Sequence, residues 1–416
     1  MLMSGIKLSI CIPTYDRAHF LEQTLERLAS WTFPFPHEIV VSDNASTDNT
    51  TAVVERFLSR GLPIRYFRGD YNTGYLANLG SALRLGRGEH LANLGDDDQL
   101  ISEGLIEAVS FLDANPNVVA CYSPWVIHDE MNERDIGRFY AVDQDFVLTR
   151  RDFGAALAFI TERIAFPETG VYRASALRVS WAPRHFAFWA FSHFAHYLDQ
   201  GDVAFLRNPF YRYIFNYRIE HGANPAGIVE TMTSWDRYRG GLEYLLYFGV
   251  KRGAIAGTHE TLRHYDDMIQ KVMVDRMVMA QKLWASRNDF LNAYELYARL
   301  VVAGSENDPL LLALRDKIRP WAGAQTLAWF VNTIAGIRRL VIANISNAEQ
   351  LSDSLRKLGL RREIAIDIHH APSPAPPQPH TMVLVRLPAD REPFLAMGYE
   401  PNLVLCWKDL VDTLLV

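Results

Sequence analysis

Four consecutive residues, Gly95-Asp96-Asp97-Asp98, carry the clearest chemical signal in this chain of 416 residues. They follow the short apolar run Leu91-Ala92-Asn93-Leu94 and precede a helix-like stretch beginning near Ser102. Carboxylates on adjacent residues repel one another, so the arrangement is costly unless a hard divalent cation or a set of ligand donors compensates the charge. A nucleotide diphosphate is the natural third party to such a cation. A solvated acidic turn capping the next helix accounts for one acid through the helix dipole, and leaves two unexplained.

The elements that must position these acids are legible in the first ~120 residues, which alternate strand-like and helix-like patterns in the manner of βαβ units. Leu8 to Ile12 reads as a strand, Leu21, Leu25 and Leu28 fall at helical spacing, and His37 to Val41 is extended again. Asp48 to Arg60 places Val53, Val54, Phe57 and Leu58 on one helical face. Ile64 to Phe67 is a short strand, Leu76, Leu79 and Leu83 mark a third helix, and His90 to Leu94 delivers the acids. In an open α/β sheet, ligands gather beyond the carboxyl ends of the strands. Three polar clusters occupy those ends: Pro13-Thr14-Tyr15-Asp16-Arg17, Ser42-Asp43-Asn44-Ala45-Ser46, and the triple acid.

Composition narrows the class. An apolar content of 49% and a net charge of −6 fit a globular protein with no general footprint for nucleic acid. Cys11, Cys121 and Cys406 are too far apart to read as a disulfide framework or a metal-ligand spacing, which suggests packing residues in a reducing compartment. The N-terminus has no long apolar region before a small-residue cleavage site, and no window reaches the roughly 18 apolar residues of a spanning helix. The expectation is a cytoplasmic protein.

Three parts are expected: a domain over 1–225, a helical domain over 226–345, and a small α/β unit over 346–416 with a proline-rich linker at 371–379. Val203 to Leu206 reads as a further strand of the first part. Ile364 to Ile368, Met382 to Val385 and Leu403 to Leu405 read as strands of the last. The segment from Trp321 to Ile345, with Leu327, Trp329, Phe330, Ile334, Ile337 and Leu340 near Arg338 and Arg339, reads first as an ordinary amphipathic helix, with a place on a membrane surface as the second reading. The first reading has it packing within the helical domain or in a contact between two copies of the chain.

Over residues 7–225 the chain resembles the family 2 glycosyltransferases, which have the GT-A fold. Ser9 to Arg17, Ile39 to Asp48, Asn72-Thr73-Gly74 and Leu94 to Asp98 occur in that family's order and spacing. The Gly-Asp-Asp-Asp form looks most like the branch that includes bacterial O-antigen abequosyltransferases. The resemblance implies an α/β domain with a Rossmann-like, mostly parallel sheet and a role in bacterial surface polysaccharide assembly. It implies a nucleotide-sugar donor, a glycan or lipid-linked acceptor, and a divalent metal, Mn²⁺ or Mg²⁺. A lipid-linked acceptor extends the expected location to the inner face of the membrane.

By the same resemblance, Pro13, Thr14, Tyr15 and Asp43 line the base and ribose site, the Asp43 carboxylate accepting from a pyrimidine-type N–H. A turn cap is the local alternative for Asp43. Asn72 and Gly74 shape the turn beneath the diphosphate, and Asp96 faces the ribose. Asp97 coordinates the metal, with Asp98 as a supporting ligand or as a group that holds the ligands from behind. His221, near Arg218, is similar to the late histidine that returns to the metal or diphosphate.

The implied reaction is inverting transfer, which needs a general base for the acceptor hydroxyl. Here the chain departs from the family pattern of Glu-Asp heading a helix before a glycine such as Gly201: counting back gives Trp189-Ala190. His193 and Glu168 are the substitutes, an imidazole titrating near neutrality and a carboxylate before the acceptor side. Their structural alternatives are a packing histidine and a surface acid. Aromatics between Trp181 and Tyr217 suit sugar stacking, although most such residues form core. Two other readings compete: a non-catalytic scaffold of the same fold, to which the missing Glu-Asp gives weight, and a sugar-phosphate nucleotidyltransferase, whose Gly-rich basic N-terminal signature is not what Ile12 to Asp16 spells.

Overall fold

The computed structural model describes residues 5–180, 187–216, 226–369, 377 and 379–415. Two compact units emerge, one of residues 1–225 with 236–272 and the other of 226–235 with 273–416.

The first unit opens with the expected alternation. Strands β1 (Leu8–Thr14), β2 (His37–Asp43), β3 (Ile64–Arg68) and β4 (His90–Asn93) are linked by helices α1 (Ala18–Ala29), α2 (Thr50–Ser59) and α3 (Tyr75–Leu85). β1 and β2 pair in parallel from Leu8 opposite His37 to Thr14 opposite Asp43. Both strands are buried almost throughout, as a parallel sheet covered on two faces requires. Leu21, Leu25, Val53, Val54 and Phe57 are buried against Ile10, Ile12, Ile39 and Val41, so the apolar stripes of α1 and α2 join one core with the sheet.

After β4 come β5 (Gln99–Leu100), α4 (Ser102–Ala114), β6 (Val118–Tyr122), β7 (Trp125–Asp129), β8 (Arg134–Arg138), β9 (Phe146–Leu148) and α5 (Phe153–Arg163). β10 (Gly170–Arg173), α6 (Ala174–Arg178), α7 (Trp189–Gln200), β11 (Asp202–Phe205) and β12 (Tyr211–Phe215) complete the set. The main sheet has the order β3-β2-β1-β4-β10-β6-β11-β9, and a second sheet the order β5-β12-β7-β8. The α/β class with a mostly parallel sheet is therefore as expected. The second sheet had no clear sequence signal, because β5 is two residues long and β8 is exposed throughout.

β10 runs antiparallel to both β4 and β6. Its entrance, rather than its exit, therefore lies at the carboxyl edge of β4, and Gly170 donates its N–H to Asn93 Oδ1 at 3.0 Å. That reversal brings residues 168–170 to the edge that carries the acids.

The second unit differs from the expected division. Leu327, Ala328 and Val331 of helix Pro309–Thr333 share a core with Leu340, Ile342, Met382 and Leu384, so the later helices and the terminal strands form one body. Its sheet is wholly parallel, in the order Ala365–His369, Arg339–Ala343, Thr381–Val385, Val404–Cys406. Arg339–Ala343 is thus a central strand, and the membrane-surface reading of 321–345 is corrected. Leu327, Ile337 and Leu340 are buried inside the unit and unable to insert into lipid from there. Among the described residues, no helix is long and apolar enough to cross a membrane.

Gly104 shows how tightly α4 is fitted. A Cβ there would fall 2.2 Å from the Pro209 carbonyl oxygen, immediately before β12. Gly104→Ala is expected to destabilise the chain by about 1–3 kcal/mol through overpacking, read as a lowered urea midpoint. An unchanged midpoint would show that the contact is slack.

Candidate functional site

The carboxyl ends of β1 and β2 are tied together by one buried side chain. Asn78, in α3, donates from Nδ2 to the carbonyls of Thr14 (3.2 Å) and Ser42 (2.9 Å), and its Oδ1 accepts from Ser42 Oγ at 2.7 Å. The turn before α3 is held from β2's side. Asn44 Oδ1 accepts from Thr73 N (2.9 Å) and Thr73 Oγ1 (3.0 Å), while Asn44 Nδ2 donates to Asn72 Oδ1 at 2.9 Å. Asn72 Oδ1 also accepts from Gly74 N at 2.8 Å, and Gly74 has φ +85°, a conformation that favours glycine. Asn72 and Gly74 therefore shape the turn at the head of α3, at the sheet edge where the resemblance placed them.

Pro13 and Thr14 are buried at the end of β1, whereas Tyr15 is 40% exposed beside them. Asp43 is buried. Its Oδ1 accepts from Ser46 N at 2.8 Å, its Oδ2 accepts from Tyr66 OH at 2.6 Å, and Arg68 Nε lies 3.5 Å from Oδ2. The carboxylate is engaged by its own loop and by β3, which is the turn-shaping role of an aspartate at a strand end.

The three acids after β4 take three different environments. Asp96 is buried; Thr14 Oγ1 donates to its Oδ2 at 2.7 Å, and Arg17 Nε lies 3.3 Å from its Oδ1. Asp97 is more open and is paired through Oδ2 with Arg17 Nη2. Asp98 belongs to the second sheet: Tyr211 OH donates to Oδ2 at 2.6 Å and Ile214 N donates to Oδ1 at 2.9 Å. Asp98 thus anchors β12, as a group behind the ligands would, with both of its oxygens already accepting hydrogen bonds. Gly95 makes the loop possible, since a Cβ would sit 3.0 Å from Asp98 Oδ2 and 3.2 Å from Asp97 Oδ1.

Electrostatics matches this geometry. Burial pushes the Asp96 carboxyl up to about 7, with the Arg17 guanidinium opposing the rise and Asp97 adding to it. Burial also raises Asp98 well above the carboxylate range, Asp97 adding again while the Tyr211 hydrogen bond opposes. Carboxylates that retain protons so readily despite an adjacent arginine are short of positive charge. Asp96 and Asp97 are hard oxygen donors, and few protein carboxylates are needed where phosphate and water complete the coordination, so the residues fit a divalent ion. His221 and Arg218 lie outside the described residues.

A tighter three-residue grouping of metal-type side chains, among the described residues, is Glu89, His90 and Asp113. It lies at the start of β4, the opposite end from Asp96. Lys7 Nζ bonds Glu89 at 2.5 Å and Asp113 at 3.3 Å there, so a cation already serves those acids.

The two base candidates separate. Glu168 precedes β10 at the acid edge, where its carbonyl accepts from Asn93 Nδ2 at 3.1 Å. The Tyr213 phenol is raised by burial, with Asp98, Asp97 and Glu168 all adding to the effect, so these carboxylates share one neighbourhood. His193 is packed in α7 between the rings of Trp189 and Tyr197. Burial lowers its imidazole to about 4, with His196 and Arg84 adding. Arg84 lies in the last turn of α3, remote from the acids at that helix's head. These surroundings are those of the packing histidine given above as its alternative. The first turn of α7 carries no acid, in agreement with the Trp189-Ala190 reading. Arg17 is without an assigned role above, and Tyr211 and Tyr213 stand there only among the aromatics of 181–217. Arg17 stood in a quoted motif, but its partners are ~80 residues away in sequence, beyond any local pattern.

A mostly parallel sheet presenting carboxylates at its strand ends is the kind of α/β domain in which ligands gather at that edge. Residues 9–181 match the model of glycosyl transferase family 2, so this part of the chain is similar to that family. The abequosyltransferase RfbV of Salmonella typhimurium is 33% identical over 116 residues, 27% of this chain and 35% of the relative. The GalNAc(5)-diNAcBac-PP-undecaprenol beta-1,3-glucosyltransferase of Campylobacter jejuni is 29% identical over 148 residues, 35% of this chain and 47% of the relative. The matches thus span between about a third and a half of these relatives' lengths. The mannosyltransferase PcManGT from Pyrobaculum calidifontis, solved with GDP-Man and Mn2+, is similar in structure with a TM-score of 0.42 at 17% identity, covering 85% of each chain.

Two predictions follow from the unequal acids. Asp98→Ala, which strands the Tyr211 hydroxyl and the Ile214 N–H, is expected to cost about 1–3 kcal/mol of stability, whereas Asp97→Ala is expected to cost less than about 1 kcal/mol. Chemical denaturation of both variants decides; equal losses would refute the division of roles. Asp96 supplies the pH test. A carboxyl whose folded pKa is raised favours folding below its unfolded value, about 4, and that contribution is lost as pH rises through about 7. Metal-free protein should therefore lose thermal stability over this window, and Asp96→Asn should flatten the loss. A wild-type profile no steeper than the variant's would contradict it.

Proposed function

We propose that the chain is a metal-dependent, inverting glycosyltransferase that moves a sugar from a nucleotide-sugar donor to a glycan or lipid-linked acceptor in bacterial surface polysaccharide assembly. The observation that carries this reading is the meeting, at one sheet edge, of the Asp96–Asp97 pair on Thr14 and Arg17 with Glu168 at the entrance of β10. The relatives' names, an abequosyltransferase and a glucosyltransferase of a PP-undecaprenol-linked glycan, support the acceptor class. A lipid-linked acceptor places the reaction at the inner face of the membrane.

In this reading Asp97, with Asp96, holds the divalent ion, Mn²⁺ or Mg²⁺, which when bound offsets the charge of the departing diphosphate. Pro13, Thr14 and Tyr15 border the base and ribose. Asp43 fixes the Ser46 loop at that border, and a direct bond to a base N–H would require it to exchange a present partner. Asn72 and Gly74 set the turn under the diphosphate. Glu168 takes the proton of the acceptor hydroxyl as that oxygen attacks the anomeric carbon; the bond to the phosphate oxygen breaks, its electron pair leaves with the nucleoside diphosphate, and configuration inverts.

A non-catalytic scaffold is favoured by one observation, the absence of an acid from the first turn of α7. Nucleoside diphosphate release from a panel of UDP-, GDP-, dTDP- and CDP-sugars, with and without Mn²⁺, tests both readings. Metal-dependent release is expected, and none across the panel would favour the scaffold. Glu168→Gln should lower kcat by roughly 10²-fold or more with donor affinity kept, as loss of a general base does, while His193→Ala should change kcat only a few-fold. The reverse order would return the role to His193.

A further inference from the structure

The positive charge that now serves the acids comes from the chain itself. Arg17 Nη2 pairs with Asp97 Oδ2, Arg17 Nε lies 3.3 Å from Asp96 Oδ1, and the guanidinium carbon stands 4.6 Å from the centre of the Phe20 ring. One planar fork thus spans both carboxylates proposed to meet the metal, with an aromatic face beneath it. The backbone carrying it is firmly held. Asp16 has φ +49°, its N–H donates to Ser46 Oγ at 2.9 Å, its Oδ1 accepts from Thr47 N at 2.5 Å, and Ala18 N donates to Asp48 Oδ2 at 2.9 Å. The Arg17 side chain is 29% exposed, so a rigid base carries a long arm with room to turn.

We propose that Arg17 is a tethered counter-cation that holds Asp97 until donor arrives, and that the divalent ion is admitted only as Arg17 is released toward the diphosphate. This deepens the transferase reading and rests on it. Asp97 Oδ2 cannot give its charge fully to both cations, so the guanidinium and the ion compete. A diphosphate resolves the competition, because it offers the freed guanidinium paired anionic oxygens in the fork geometry that a carboxylate offered before. Metal and donor then bind with positive coupling: the ion alone must displace Arg17 into solvent, whereas the ion with a diphosphate moves it to a new partner. Apo protein is spared a bare pair of adjacent acids, and the site becomes selective for metal arriving with donor.

The test is Mn²⁺ binding to full-length protein, followed by electron paramagnetic resonance without turnover, for wild type, Arg17→Gln and Arg17→Lys. In the absence of nucleotide, Arg17→Gln should bind Mn²⁺ about tenfold more tightly than wild type, the scale on which a partly desolvated charge-assisted pair is given up. Arg17→Lys, which keeps the charge but loses the fork, should fall between them. Saturating UDP or GDP should tighten Mn²⁺ binding strongly in wild type and much less in Arg17→Gln. Should Arg17→Gln be less stable, a larger rise of its Tm than of wild type's on adding Mn²⁺ reports the same competition. Arg17→Gln binding Mn²⁺ no tighter than wild type would overturn the latch while leaving the transferase reading intact. Binding in neither protein, with or without nucleotide, would remove the metal reading and the latch together.

Discussion

The constraint on which the site depends is the shortage of positive charge where β4 ends. Three consecutive carboxylates are brought to one sheet edge with two of them buried, and burial alone makes ionisation unfavourable. The fold answers each acid separately. Asp98 is handed to the second sheet, where a phenol and a backbone N–H accommodate it. Asp96 is given the Thr14 hydroxyl and one nitrogen of Arg17. Asp97 is left more open, paired to a mobile type of side chain, and so is the acid best placed to exchange partners. Adjacent residues of one type thereby acquire unequal chemistry from their surroundings.

A second consequence concerns how the edge is kept in shape. Parallel strands end in loops whose backbone groups lack sheet partners, and here amides fill that need. Asn78 fastens β1 to β2, Asn44 fastens the turn before α3, and Asn93 fastens the entrance of β10 to the exit of β4. Each neutral amide both donates and accepts, so it can join two loops without adding to the negative charge already concentrated there. The place of the proposed base follows from the same topology. With α7 carrying no acid, the nearby antiparallel strand β10 delivers Glu168 to the edge instead, a displacement made possible by one reversed strand in an otherwise parallel neighbourhood.

Legibility along the chain tracked how local the determining forces were. Strands β1 to β4 and helix α2 are legible to within two residues of their ends, and α1 and α3 through their leucine stripes, because apolar runs and helical stripes record burial directly. The three polar clusters were placed at the carboxyl edge for the same reason. The strand Arg339–Ala343 is not legible: Ile334, Ile337 and Leu340 fall at helical spacing, and only the packing of Leu340 and Ile342 with Met382 and Leu384 decides the period. For His193 the sequence leaves two readings open, because residue type suggests titration near neutrality, while its burial beside Trp189 and Tyr197 sets its basicity.

By itself the sequence determined the class of sheet, the edge at which chemistry gathers and the residue types assembled there, since these follow from hydrophobic periodicity and from motifs contained in short windows. Only the tertiary structure decided which acid anchors, which is buried against Thr14 and which stays exchangeable, and that Glu168 rather than His193 stands beside them. Those outcomes depend on Arg17, Tyr211, Ile214 and Asn93 meeting partners about 75 to 116 residues distant in the chain, and desolvation and pairing at such a distance leave no trace in local spacing.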